Sequence, residues 1–397
     1  MTSTDRATPA SSAEPAGASA SAERAGGSPA NSGTPLLAGR PVALVHEWFS
    51  AAGGSENVFL ALGDLLPHAD RYVLWAEPEV PRERLRLRES WLARTPLRRS
   101  KALALPFLPF AWHLGRPGGY EVVLSSSHAF GHTARFGPPE QTRHLSYVHS
   151  PARYLWSPDF DGRGAGRLLG GPRRVLRAAD VRFSRHVHAY AANSVEVRDR
   201  IRRYWRRDAV VVHPPVDVDF FAAAPPAQRD QPRDHLLGVG RWIPYKNFDL
   251  MIAIAAEAGL PLVLAGGGPE EARLRRLAAT VDVPVTFESR PDRARLRELY
   301  WGARALLFPA HEDFGIIPVE AQACGTPVVG LRAGGLLETV VDGETGFLVD
   351  SREPARHAAA VRRVGDLSAD RVRRHATAFG ADRFASRMAG WVADACR

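Results

Sequence analysis

The chain has 397 residues, long for one domain and comfortable for two, and its 45% hydrophobic and 24% charged residues describe a globular protein. The two cysteines, Cys324 and Cys396, exclude a disulfide framework and a Cys-rich metal site and suit a reducing cytoplasm. The formal net charge of +9 is carried almost wholly by arginine, spread along the chain with no compact nucleic-acid motif; no apolar run is long enough to span a membrane, and the N-terminus lacks the order of a signal peptide.

Residues 1–38 are Ala, Ser, Gly, Pro and Thr with scattered charge, too polar to offset chain entropy, and are expected to form a disordered tail. From Pro41 the pattern changes. Val42 to Val45 reads as a buried strand that runs into His46-Glu47-Trp48 and a turn at Gly53-Gly54. Ser55 is placed to cap a helix whose apolar face is Val58, Phe59, Leu62, Leu65 and Leu66. Further strands are expected at Tyr72 to Trp75, Glu121 to Leu124, His144 to Val148, Ala189 to Ala192 and Val210 to Val212, with Ser194 capping a helix after the fourth of these. Between 94 and 114, Arg94, Arg98, Arg99 and Lys101 precede Leu103, Leu105, Phe107, Phe110 and Trp112. That juxtaposition suits an anionic membrane surface, and equally a structural loop with one half facing the core.

Pro214 to Asp234, rich in Pro, Ala and Asp, reads as a linker between a first domain (39–213) and a second (235–376). In the second, strands at Leu236 to Val239, Leu262 to Ala265, Val285 to Phe287, Ala305 to Phe308 and Val328 to Leu331 alternate with helices at Phe248 to Ala258, Glu270 to Ala279, Arg293 to Trp301 and Pro318 to Ala323. Apolar strands alternating with amphipathic helices predict an α/β fold: a doubly wound parallel sheet with helices on both faces, binding ligands beyond the carboxyl ends of its strands. A terminal helix is expected over 377–397.

The chemistry-bearing segments all fall at such strand ends. His311 to Glu320 follows a strand; Gly315 frees the backbone, Pro318 suits a first helical position, and a helix N-terminus opening near Ile317 is a ready anion site. Glu312 and Glu320 should crowd that terminus, either as acceptors for sugar and ribose hydroxyls or as acids stabilising the helix dipole. In Gly240-Arg241 to Lys246-Asn247, a guanidinium and one of the chain's two lysines can reach one anion from two sides, and Asn247 can cap the next helix. Gly266-Gly267-Gly268 permits close backbone approach or simply a tight turn, and Asp342 to Phe347 reads as a turn. Gly53 and Gly54 could offer amides to a phosphate, and His149 ends a strand, where a histidine is more often a structural hydrogen-bonder. The Asp159/Asp161 and Asp217/Asp219 pairs read as loop chemistry rather than metal ligands.

Taken in order, Gly53-Gly54-Ser55-Glu56, Tyr147 to Trp156, Gly240 to Asn247, Ala265 to Pro269, Glu312 to Glu320 and Gly334-Gly335 to Phe347 resemble the retaining GT-B glycosyltransferases of family 4, over about residues 40–395. The Tyr147 to Trp156 stretch is most similar to the mannosyltransferase-like branch of polysaccharide and O-antigen assembly. The resemblance implies two Rossmann-like domains facing each other across a cleft, the first on the acceptor side, with the terminal helix packing back on it. It implies a nucleotide-sugar donor, GDP-mannose or a UDP-hexose, and a saccharide, lipid-linked or secondary-metabolite acceptor, with no metal or other cofactor. Arg241 and Lys246 would hold the diphosphate, Glu320 the ribose and Glu312 the sugar. Gly240, Gly267, Gly315, Ile316 and Ile317 would meet donor atoms, Gly53 and Gly54 would close from the other domain, and His149 would lie near the reacting carbon. A sugar-nucleotide epimerase, a phosphorylase, or a catalytically silent binding protein are the rival readings.

Overall fold

The computed structural model describes residues 36–50, 53–112, 118–157, 170–224 and 233–397. Most of the expected tail, the Asp159/Asp161 pair, part of the 94–114 segment and part of the expected linker lie outside these residues.

Two all-parallel sheets make up the fold. The first has seven strands, β1 (Val42–Phe49), β2 (Asp70–Ala76), β3 (Leu87–Glu89), β4 (Val122–Ser127), β5 (Arg143–Val148), β6 (Ala189–Ala192) and β7 (Val210–Val211), in the order β3-β2-β1-β4-β5-β6-β7. The second has six, β8 (His235–Arg241), β9 (Leu262–Gly267), β10 (Val285–Ser289), β11 (Ala303–Phe308), β12 (Val328–Leu331) and β13 (Gly346–Val349), in the order β10-β9-β8-β11-β12-β13. Strand order reverses between β1 and β4 in one sheet and between β8 and β11 in the other. At those points diverging connections open a crevice at the carboxyl ends of the strands.

Each sheet is buried on both faces, so its strands are continuous apolar runs. Leu44, Val73 and Leu124 pack under the helix Gly54–Leu65 on one face of the first sheet, while Val45, Leu74 and Val123 meet Leu108, Trp112 and Phe130 on the other. In the second, Leu237 and Leu306 belong to the core that holds Val319, and Leu236 and Leu307 to the one that holds Met251 and Val361.

Several sequence-based expectations are corrected. Leu36 and Leu37, placed in the tail, pack against the first core. The linker is partly built into the second core: Val218–Ala222 is helical, and Val216, Val218 and Phe221 are buried with Leu237 and Tyr300. Gly346-Phe347 opens a buried strand rather than continuing the Asp342-Gly343 turn. Ser55 is not a cap, since the helix begins at Gly54 and the Ser55 hydroxyl donates to Glu56. Ser194 does accept from the Val197 amide, at 3.2 Å. The last helix, Ala381–Ala395, runs from the second domain onto the first, burying Phe384, Met388, Trp391 and Val392 beside Phe59 and Leu62. Burial of each such side chain is worth roughly 1.5–3 kcal/mol, enough together to hold this helix of the second half against the first.

Candidate active site

The β8/β11 crevice gathers the residues singled out in the C-terminal half. After β8 the chain turns through Pro244–Lys246, and Asn247 takes a left-handed conformation, φ 55°. Its side chain does not cap the helix Phe248–Ala258; its amide instead donates to the Pro309 carbonyl at 2.8 Å, pinning the loop after β8 to the loop after β11. Across that join the Lys246 ammonium forms an ion pair with the Glu312 carboxylate. Gly266 could not be anything larger: its φ is 148°, and a Cβ there would stand 1.9 Å from the Gly240 carbonyl oxygen. Gly315, φ 94°, swings the chain into a helix that begins at Ile316, so Pro318 occupies its third position rather than its first.

Beside these loops lies a cavity of about 570 Å³ whose lining includes Gly240, Arg241, Lys246, Gly267, Arg290 and Ile317. Three of its lining residues are cationic and none is acidic. Arg241 is exposed and makes no ion pair among the described residues. Arg290 was missed in the sequence, where a single arginine after a strand carries no signal in so arginine-rich a chain. It is held in a left-handed conformation, φ 50°, with its amide donating to the Gly266 carbonyl at 2.7 Å.

Glu312 reaches this cavity through Lys246, while Glu320 does not line it. Glu320 sits one turn into the helix Ile316–Ala323, where it accepts from the Tyr300 hydroxyl at 3.0 Å. Burial raises its carboxyl to about 7, partly opposed by that hydrogen bond and by Arg293. The folded state therefore keeps a proton that the unfolded chain releases near 4.5, so the stability contributed by this group is lost as pH rises from about 4.5 to 7. Melting temperature against pH in wild type and Glu320→Gln checks this: measured against the variant, wild type should lose stability as pH rises through that range.

In the N-terminal half, Gly53 is the N-cap of the first helix and Gly54 its first residue. A Cβ on Gly54 would lie 2.8 Å from Ile316 Cδ1, so this turn abuts the start of the Ile316–Ala323 helix. His149 follows β5; its Nε2 is 2.8 Å from Ser126 Oγ, and burial together with His128 and His46 pushes its pKa down to about 3. It is neutral at physiological pH.

A group that sequence reasoning did not single out surrounds it. Glu47, fully buried at the end of β1, accepts from the amides of Ala129 at 2.9 Å and Gly131 at 2.6 Å, from the His128 amide and the Ser127 hydroxyl at 3.2 Å, and pairs with His128 Nδ1 at 3.0 Å. His46 Nδ1 lies 3.1 Å from the Ser126 carbonyl. Among the described residues, His46, Glu47 and His128 are close enough to share a metal ion. The donor set fits poorly, because both Glu47 oxygens are already committed to N–H and O–H donors. The group braces the loop after β4 against β1. The signal was available in principle: a buried acid at a strand end beside a switch point.

Other contacts cross between the halves. Asp313 takes Arg153 and Arg200, and Glu338 accepts from the Val195 amide at 2.8 Å and lies 2.9 Å from His213 Nε2. Asp217 pairs with Arg293 at 2.6 Å, which uses one acid of the second Asp-x-Asp pair structurally.

Two doubly wound parallel sheets, with the Gly53-Gly54 turn of the first abutting the Ile316 helix beside the cationic crevice of the second, define a GT-B protein. Solved structures share the fold: Anabaena Alr3699/HepE in complex with UDP gives a TM-score of 0.68 at 18% identity, covering 89% of this chain and all of that one. Sucrose-phosphate synthase from Thermosynechococcus elongatus gives 0.67 at 21% identity, covering 89% and 98%. Residues 222–379 match the family model for glycosyl transferases group 1. The D-inositol 3-phosphate glycosyltransferase of Acidothermus cellulolyticus is 34% identical over 316 residues, 70% of this chain and 68% of that one. Its counterpart in Streptomyces avermitilis is 32% identical over 320 residues, covering 70% and 66%. The chain belongs to the glycosyl transferases group 1 family and is a glycosyltransferase. It spans about two thirds of the length of these relatives. Their names do not include a mannosyltransferase, so the branch resemblance rests on the Tyr147 to Trp156 stretch alone.

Proposed function

We propose that the protein transfers a hexose from a nucleoside-diphosphate sugar, GDP-mannose or a UDP-hexose, with retention of configuration and without a metal ion. The observation that carries this reading is the cavity with Arg241, Lys246 and Arg290 on its walls and no acid among its lining residues. Breaking the sugar–phosphate bond builds negative charge on the leaving diphosphate. Fixed cations and helix-terminal amides at Ile316 and Ile317 stabilise that charge more in the transition state than in the ground state. Glu312 orients the sugar, Glu320 the ribose, and Gly53 and Gly54 close over the diphosphate. His149, neutral and hydrogen-bonded to Ser126, contacts the sugar as a polar group rather than as a charge. The acceptor approaches on the face the leaving group vacates, and a phosphate oxygen takes its proton.

The acceptor is a polyhydroxylated molecule: a saccharide, a lipid-linked saccharide, a secondary metabolite, or an inositol phosphate, for which the names of the relatives speak. A lipid-linked acceptor is favoured by one surface. Leu103 is 65% exposed, Phe107 47% and Phe110 50%, beside exposed Arg94 and Arg99, while Ala104, Leu108, Ala111 and Trp112 face the core. Lys101 lies over the Trp48 ring at 4.8 Å and 3.9 Å from the Glu77 carboxylate. This half-buried segment suits the inner, anionic face of the plasma membrane, and the two free thiols suit the cytoplasm. Among the described residues no helix is long and apolar enough to cross a membrane. Flotation with anionic vesicles should carry the protein, and neutral vesicles should not.

Thermal shift across a panel of nucleotide sugars identifies the donor, since ligand binding to the folded state raises its melting temperature. Turnover of that donor should then require an acceptor, survive EDTA, and give a product with the donor's anomeric configuration by NMR. Turnover of donor alone to an isomeric nucleotide sugar would establish the epimerase instead. Binding without turnover would establish a silent binding protein.

A further inference from the structure

Glu312 and Asp313 are consecutive, and their carboxylates are committed in opposite directions. Glu312 pairs with Lys246 of its own domain. Asp313, 7% exposed, takes two guanidinium groups from the facing domain: Arg153 Nη2 at 2.5 Å with Nε at 3.1 Å, and Arg200 Nη1 at 2.6 Å. Arg153 opens the short helix Arg153–Trp156 four residues after His149. Arg200 lies in the helix Val195–Trp205 and is also held by Glu196 at 2.8 Å, which in turn lies 3.2 Å from His311 Nε2. The two arginines keep the Asp313 carboxyl below its usual range despite its burial.

We propose that Asp313 is a positioning residue for glycosyl transfer: through Arg153 and Arg200 it sets the distance between the His149 segment of the first sheet and the Glu312 loop of the second. The assignment rests on the reading of His149 and Glu312 given above. A buried ion pair contributes little net stability compared with apolar packing, because desolvation offsets most of the attraction. What it does provide is direction. A carboxylate held by two arginines from separate elements has both oxygens committed, which fixes its position along more than one axis. Its neighbour Phe314 lies 5.4 Å from His213 and 5.6 Å from Phe379, ring centre to ring centre, so the loop cannot easily slide to restore the contact from elsewhere. A reacting pair displaced by about 1 Å can lose a hundredfold in rate.

The test is Asp313→Asn, with Arg153→Lys as the milder variant should the first fail to fold. Three quantities are measured on protein whose circular dichroism matches wild type: nucleotide affinity, kcat with saturating donor, and the radius of gyration by X-ray scattering. Nucleotide affinity should stay within twofold, since the donor-side groups are untouched. The kcat should fall at least tenfold, and the radius of gyration should rise as the halves lose their register. Asp313→Glu, which keeps the charge, should recover part of kcat. A variant with wild-type kcat and unchanged scattering overturns the proposal. So does a parallel loss of nucleotide affinity, which would make Asp313 part of the donor loop itself. Should wild-type protein transfer no sugar at all, the proposed function fails, while scattering still decides whether this bridge holds the halves together.

Discussion

Replacing Lys246 with alanine should lower kcat by about 10²–10³, the cost of removing one preorganised group that stabilises developing charge, or about 3–4 kcal/mol of barrier. Its ammonium is half-buried and paired with Glu312 at the edge of the cavity. In the proposed reaction, removing it takes a cation from the diphosphate and also leaves Glu312 uncompensated beside incoming negative charge. Arg241, by contrast, is exposed and engaged in no ion pair among the described residues, so Arg241→Ala removes attraction without creating repulsion. The loss in kcat/KM should therefore be larger for Lys246→Ala than for Arg241→Ala. Adding Glu312→Ala to Lys246→Ala should restore part of the nucleotide affinity but none of the kcat, because the repulsion disappears while the missing cation stays missing. Steady-state kinetics and nucleotide titration of the four proteins separate the two contributions. A Lys246→Ala enzyme within threefold of wild-type kcat would remove the ammonium from any role in charge stabilisation.

The fold was legible because parallel strands buried on both faces appear as uninterrupted apolar runs; β1, β5, β8, β9, β11 and β12 were all visible in that way. What escaped was structure whose local sequence argues against it. The strand Gly346–Val349 begins with a glycine right after an Asp-Gly turn, and the helix Gly170–Ser184 starts in Gly-Gly-Pro and is studded with arginine. Within the site, Arg241, Lys246 and Glu312 could be grouped because each stands at a strand end of one sheet, and strand ends at a switch point converge. Glu320 was harder: its helical position was foreseeable, yet its partner Tyr300 comes from the preceding helix, and Glu320 stands outside the cavity lining. The bridge between Arg153 and Asp313 spans 160 residues, and no periodicity or propensity encodes a contact at that range. It depends on how two separately folded sheets are docked, which the sequence of neither reveals.

Glu47→Gln should destabilise the N-terminal half by about 3–5 kcal/mol, the penalty for removing one partner of a buried charge pair. The carboxylate has no solvent to fall back on; its oxygens accept from the Ser127 hydroxyl and three backbone amides and pair with the His128 ring. A glutamine offers one acceptor and turns an NH₂ towards donors, leaving at least one amide or the His128 ring unsatisfied. With about 2–4 °C per kcal/mol for a unit of this size, the first thermal transition should drop by roughly 6–20 °C. The same chemistry sets the response to acid. His128 and the surrounding N–H and O–H donors hold Glu47 well below the usual carboxylate range, so the folded state resists a proton that the unfolded chain accepts near 4.5. His144 and His149 are pushed down to about 3 by burial and by neighbouring cations, so unfolding takes up protons from about 6.5 downwards. In both cases the unfolded chain binds more protons, and the contribution of these groups to the stability of the N-terminal half must decline as pH falls, from about 6.5 through the histidines and more steeply below 4.5 through the glutamate. The helix Ala381–Ala395 reports on this half as well, since it packs on the same core. Calorimetry between pH 4 and 7 should show the first wild-type transition, that of the N-terminal half, falling with acid. The Glu47→Gln protein should start lower and lose less on the way down, because the group that resists protonation is gone. Parallel curves would mean that Glu47 contributes packing rather than charge.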